Sequence, residues 1–146
     1  MNADLSAIMP ALQANLAMAW LWILFGFLSG LGLGCFFHRE DWLGGYGSFR
    51  RRMYRLAHIS FFGLGFVNLG FYFTARVLPG SDPFLRLASG SFLAGAISMP
   101  LCCLLMAHLP RTRMLFAVPV LSLLLGGGLT MFMVLHHRPD LITTAL

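Results

Sequence analysis

The chain is short, strongly apolar and basic. It has 146 residues, of which 58% are hydrophobic and 10% are charged, and ten Arg with no Lys give it a formal net charge of +5. Soluble domains carry about 25% charged residues and lack such long apolar runs, so the composition excludes a soluble catalytic domain. The sequence predicts an all-α integral membrane protein that forms a single membrane domain over residues 1–146.

Four apolar stretches are each long enough to cross a bilayer, whose hydrocarbon core of about 30 Å takes about 20 helical residues. They cover residues 16–37, 57–77, 87–107 and 114–135. We therefore expect a bundle of four transmembrane helices in up-down-up-down order. Loops over residues 38–56, 78–86 and 108–113 would connect them, and residues 1–15 are expected to form a short surface helix before the first span.

The arginines are unevenly placed along the chain. Seven of the ten lie in the segments 38–56 and 108–113, whereas Arg76, Arg86 and Arg138 lie on the other side. Basic loops stay in the cytoplasm, so both termini are predicted to lie outside, and the expected location is a bacterial inner membrane. The arginines lie at membrane borders, where anionic lipid headgroups are nearer partners than nucleic acid.

The first span carries a regular series of glycines. Gly26, Gly30 and Gly34 follow one another at every fourth residue, and His38 is the next member of the series. Glycines in this spacing line one side of a helix and make a groove that a second helix or a flat ligand can approach closely. Ordinary helix packing is the alternative interpretation, because the pattern is common in spans that bind no ligand.

The second span has one polar face. Asn68 and Tyr72 lie on the side of the helix that carries His58, and we expect this side to face protein, because an amide without a partner in hydrocarbon costs several kcal/mol. Ser60 and Thr74 can bond to carbonyls of their own helix. The face expected to meet lipid or another helix consists of Gly63, Val67, Gly70 and Phe71.

The third span contains a proline and two of the three cysteines. Pro100 is expected to kink the helix or to free the carbonyl group of Ala96, because proline has no N–H to donate. Cys102 and Cys103 are adjacent and point to different faces of a helix, so they indicate no disulfide framework. Together with Cys35 they are predicted to be small packing residues.

Two histidines lie at matching depth in neighbouring spans. His58 follows Arg55 by three residues and His108 precedes Arg111 by three, which puts each imidazole about 5 Å further into the membrane than its arginine. Two imidazoles at one level on two helices are the ligands of a b-type haem. His58 and His108 are therefore the predicted metal-binding residues, with His38 as the remaining candidate.

Other residues suit a non-covalent haem. Gly65 is expected to leave room for a porphyrin, and Arg55 and Arg111 are placed to pair with its propionates. No Cys-x-x-Cys-His attachment motif is present. A copper site that combines the histidines with Cys35 or Cys102 is the minor form of the same hypothesis, because soft ligands suit that ion.

The sequence thus predicts a small integral membrane subunit of a respiratory or other redox complex, with haem b between His58 and His108. A different class of function competes with it: a cofactor-free scaffold or assembly subunit, whose amphipathic histidines only lie at the membrane border. A small oligomeric transporter is a third interpretation. It is less favoured, because the spans lack the acidic residues that would form a transport pathway. The expected partners are other membrane subunits and anionic lipids.

Overall fold

The chain is helical throughout the part that a computed structural model describes, residues 2–78 and 83–136. No strand occurs in those residues, which confirms the predicted all-α class. Short 3-10 segments at Trp42–Gly44 and Pro110–Phe116 interrupt the connections between helices. The long helices are α1 (Asn2–Phe36), α2 (Phe49–Val77), α3 (Pro83–His108) and α4 (Ala117–His136).

Four segments are long and apolar enough to cross a membrane, as the sequence predicts. They are Ile8–Phe36, Phe49–Val77, Pro83–His108 and Arg111–His136. The structure differs at the first one, because α1 runs without interruption from Asn2 and so joins the expected surface helix to the span. Residues 79–82 of the predicted outer loop and the tail from residue 137 lie outside the described residues, and residues 83–86 of that loop belong to α3.

Helix α2 begins well before the predicted second span. Ser48 is its N-cap: the Ser48 hydroxyl accepts a hydrogen bond from the backbone N–H of Arg51 at 3.2 Å and donates one to the carbonyl of Leu43 at 2.7 Å. Such a cap satisfies a backbone N–H that the first helical turn leaves without a partner. The basic stretch from Arg50 to Arg55 therefore lies on the first turns of α2, not in a loop.

Small residues bring α1 and α2 together. A Cβ atom on Gly65 would lie 3.1 Å from the carbonyl oxygen of Ala19, and one on Gly26 would lie 2.8 Å from the ring of Phe62. Glycine at these positions lets the two helices approach closely, as in other membrane bundles. The glycine pattern of the first span is thus used in helix packing at Gly26.

A buried polar cluster joins the first three helices. Asn15 of α1 donates to the amide oxygen of Asn68 on α2 at 2.8 Å, and Ser89 of α3 donates to the amide oxygen of Asn15. Asn15 and Asn68 are fully buried and Ser89 is 1% exposed. The prediction that the Asn68 face turns toward protein is confirmed, and each amide has the partner that a membrane interior demands.

The face of α2 that is predicted to meet lipid or another helix does both: three of its residues are exposed and Phe71 meets α3. Gly63, Val67 and Gly70 are exposed, but Phe71 is only 3% exposed and packs on Phe92 of α3, with ring centroids 5.0 Å apart. Phe71 follows Asn68 by three residues, which places the two side chains within about 60° of each other around the helix. The third helix therefore covers both of them.

Two smaller predictions for α2 are confirmed. The hydroxyl of Ser60 donates to the carbonyl of Ala57 at 2.7 Å, and that of Thr74 donates to the carbonyl of Gly70 at 2.9 Å. Each hydroxyl is satisfied within its own helix. Neither one therefore requires a partner from another helix.

Pro100 frees a carbonyl that a neighbouring helix uses. The indole N–H of Trp22 on α1 donates to the carbonyl oxygen of Ala96 at 2.9 Å, which confirms the prediction for this residue. The bond ties α1 to α3 near the middle of both helices. Cys102 and Cys103 on the same helix are buried, in agreement with a packing role, whereas Cys35 on α1 is exposed.

Helix α4 packs along α3. A Cβ atom on Gly95 would lie 2.6 Å from the side chain of Leu123, and one on Gly126 would lie 3.1 Å from the ring of Phe92. Each glycine receives a large side chain of the other helix. These two contacts hold α4 against α3.

Candidate functional site

The two basic segments of the chain lie at one end of the bundle, which we call the Arg-rich end (residues 37–55 and 108–113). The guanidinium of Arg50 donates to the carbonyl oxygen of Ala107 at 3.2 Å and so joins the start of α2 to the end of α3. His38 and Arg111 are exposed at this end. Neither of these two predicted site residues lines the openings described below.

His58 is held against α1. Its Nδ1 lies 2.9 Å from the hydroxyl oxygen of Ser29, and its ring fills the space beside Gly30, where a Cβ atom would lie 2.9 Å from it. The Ser29 hydroxyl also donates to the carbonyl of Gly26 at 3.1 Å. A hydroxyl has one proton, and in the arrangement in which Ser29 donates that proton to Gly26, Nδ1 of His58 donates to Ser29. In the neutral ring, Nε2 then carries the lone pair that can bind a metal or accept a proton.

His108 contacts a different residue. Its Nε2 lies 2.9 Å from the hydroxyl oxygen of Tyr54, and the two rings meet edge to face with centroids 5.9 Å apart. Tyr54 precedes His58 by one helical turn on α2. The structure therefore brings both predicted ligands to neighbouring turns of α2, with His108 bonded to Tyr54.

An apolar opening lies between α1 and α3, with α2 as its floor. One cavity of about 290 Å³ has Tyr54, His58 and Phe61 on its floor. A second cavity of about 220 Å³ shares Phe61 and Leu104 with the first and extends to Trp22. We call the two together the α1/α3 cleft. His108 is not among the residues that line it.

A second opening lies between α1 and α2, shares Leu33, Trp42 and His58 with the α1/α3 cleft, and measures about 370 Å³. We call it the α1/α2 groove. It brings together four residues that the sequence marks as site or groove residues, namely Gly30, Gly34, Arg55 and His58. Its remaining lining residues are Leu33, Phe37, Trp42, Arg51 and Ile59.

Arg51 is the functional residue that sequence reasoning missed. It is 1% exposed, and its guanidinium donates to the carbonyl oxygens of Phe37, Arg39 and Glu40 at 3.2, 3.4 and 3.5 Å. Three aromatic rings surround the guanidinium carbon, with centroids 3.8, 5.5 and 5.6 Å away, and belong to Tyr46, Phe37 and Trp42. Arg51 thus holds the connection between α1 and α2 around one buried charge.

The acidic residues beside Arg51 do not carry out their expected role. The sequence suggests that Glu40 and Asp41 pair with the arginines that follow them. The hydrogen bond between Glu40 and Arg51 uses the backbone oxygen of Glu40, and both acidic side chains are exposed. The charge of Arg51 is therefore bound by neutral carbonyl groups.

Gly65 lies away from both openings. The space beside it is filled by Ala19 and Ile23 of α1, so its lack of a side chain serves close helix packing. Among the described residues, no group of three or more His, Cys, Asp or Glu side chains is close enough to hold a metal ion. His38, His58 and Cys35 are thus not gathered as the copper hypothesis requires.

The described residues define a helical protein with four helices of membrane-spanning length and two openings beside His58. No protein-family model, curated protein or solved structure matches the chain.

Proposed function

We propose that the chain is a small integral membrane subunit of a larger complex in a bacterial inner membrane, in first place a respiratory or other redox complex. The observation that supports a redox complex is the hydrogen bond between Ser29 and one ring nitrogen of His58. Its Nδ1 is engaged by Ser29, so Nε2 is the ring nitrogen that is left for a ligand inside the bundle. Polar groups at membrane depth are costly and usually have a function.

Contacts along the helices support the predicted up-down-up-down order. Asn15 meets Asn68 and Ser29 meets His58, so residue numbers rise along α1 as they fall along α2. Tyr54 meets His108 and Phe71 meets Phe92, which gives the same relation between α2 and α3. We assign the Arg-rich end to the cytoplasm and both termini to the outside, because basic segments are retained there.

A b-type haem, which supplies one-electron transfer when bound, fits these residues in part. His58 has the hydrogen-bonded Nδ1 that is typical of metal-ligating histidines, and it lines the α1/α3 cleft. The Nε2 of His108 is taken by the hydroxyl group of Tyr54, so a site with two histidine ligands requires His108 to leave Tyr54. Arg55, which the sequence predicts to pair with a propionate, lines the α1/α2 groove and not the α1/α3 cleft.

The redox form is tested by the visible spectrum of the purified protein, reduced minus oxidised. We expect haem bands that disappear in His58→Ala and remain in His136→Ala, whose ring stacks on Phe132 of its own helix. Loss of the bands in His108→Ala would assign both predicted ligands to one iron. A wild-type protein that is colourless and takes up no added haem would reject the redox form.

The second candidate is a cofactor-free scaffold or assembly subunit, and the outer face of α4 favours it. Gly127 and Gly128 have no other side chain or helix within 4 Å of a Cβ position, so this face can accept the backbone of another helix closely. We expect Gly127→Leu to weaken assembly with partner subunits on native gels. An unchanged complex with this variant would argue against the scaffold.

A further inference from the structure

The α1/α2 groove combines an apolar mouth with a cationic inner end. Ile59 and Phe37 are 62% and 52% exposed at the mouth, and Gly34 beside them is exposed as well. Arg55 is half-buried, and Arg51 is almost completely buried. A mouth of this composition faces hydrocarbon, so whatever enters the groove comes from the bilayer.

The positive charge in the groove has no acidic partner within the described residues. Arg51 is bound by carbonyl oxygens alone. Arg55 makes neither a hydrogen bond nor an ion pair with any residue that the structure describes. Charges at such depth are normally paired, and two guanidinium groups without a carboxylate attract an anion.

We propose that the α1/α2 groove binds an acidic membrane phospholipid, with its phosphate at Arg55 and the first part of its acyl chains against Gly34 and Ile59, while the buried charge of Arg51 adds to the positive potential. The planar fork of Arg matches phosphate oxygens with paired, charge-assisted hydrogen bonds. Gly34 leaves the apolar wall open, since a Cβ on Gly34 would meet no other atom within 4 Å. An acidic lipid is preferred over a zwitterionic one because the groove offers cations only.

This inference depends on the membrane placement proposed above and is independent of the redox role. His58 lines both openings, whereas Arg55 lines the groove and is absent from the lining of the α1/α3 cleft. Replacement of Arg55 should therefore change lipid binding and leave any haem spectrum intact. A spectrum that is lost with Arg55 would overturn the lipid assignment of the groove.

The test is lipid binding by the full-length protein in detergent, measured by native mass spectrometry with phosphatidylglycerol or phosphatidylcholine. We expect one tightly bound phosphatidylglycerol and an affinity about tenfold lower in Arg55→Gln, which removes a charge-assisted contact. Arg52→Gln is the matched control, because Arg52 is exposed on the same helix and carries the same charge. Gly34→Leu should also block binding by filling the mouth of the groove.

Three results would overturn the proposal. Equal losses in Arg52→Gln and Arg55→Gln would indicate attraction to the basic surface and no defined site. Equal affinity for both lipids would remove the role of the anionic charge. Displacement of the lipid by an equal concentration of inorganic phosphate would show that the groove selects free phosphate.

Discussion

Substitution of Asn68 by Leu tests the polar cluster that holds α1, α2 and α3 together. The two side chains have similar size, so the change removes hydrogen bonds without opening a large cavity. Asn15 loses its 2.8 Å bond to Asn68 and keeps a 3.4 Å contact with the carbonyl of Ser89. An unsatisfied buried donor costs about 1 to 3 kcal/mol, and interhelical bonds in membranes reach about 1.7 kcal/mol, so we expect a loss of about 1 to 2 kcal/mol.

The assay is reversible unfolding of the purified protein in mixed micelles with increasing SDS. Phe66→Leu is the control, because Phe66 is 60% exposed on the opposite side of α2 and should change the free energy of unfolding little. The double variant Asn15→Leu with Asn68→Leu should lose less than the sum of the two single losses, because the bond between the two amides is removed only once. Equal losses at Asn68 and Phe66, or no coupling between Asn15 and Asn68, would refute the assigned role.

Three further predictions concern other parts of the bundle. A reporter active only in the cytoplasm should work when inserted near Ser48 and fail at either terminus, and the reverse result would invert the orientation. Arg51→Lys should make residues 38–47 sensitive to protease, because Lys cannot span three carbonyls, whereas Arg52→Lys should not. Trp22→Phe should lower the free energy of unfolding by about 0.5 to 1.5 kcal/mol in SDS titration by removing the bond to Ala96, and an unchanged value would contradict that role.

Much of the fold follows from the sequence, because hydrocarbon imposes strict rules on length and polarity. Four apolar stretches give four helices, and the amide of Asn68 reveals which side of α2 is buried. Pro100 marks the carbonyl that Trp22 uses. The start of α2 could not be placed so well, because the arginines after Ser48 look like loop residues when only their polarity is considered.

The candidate site was harder to predict than the fold. Periodicity places His58 on the polar face of α2, but it cannot show that Ser29 contacts Nδ1 of His58 or that His108 bonds to Tyr54. Arg51 is one of three consecutive arginines, and only the folded chain makes it the buried one. Trp42 and Tyr46, which lie among the basic residues, are the signal that could have indicated cation–π contacts.

The two ends of the α1/α2 interface differ because α3 covers only one of them. Ser89 and Ala96 hold α3 against α1 in the half of the bundle that contains Asn68. The amide of Asn68 is therefore fully buried and has a structural role. From Trp22 toward the Arg-rich end, the α1/α3 cleft lies between α1 and α3 and is lined by residues of both helices. His58 lies on the same side of α2 as Asn68, yet it borders open space. A single polar face thus stabilises the bundle at one end and borders open cavities at the Arg-rich end.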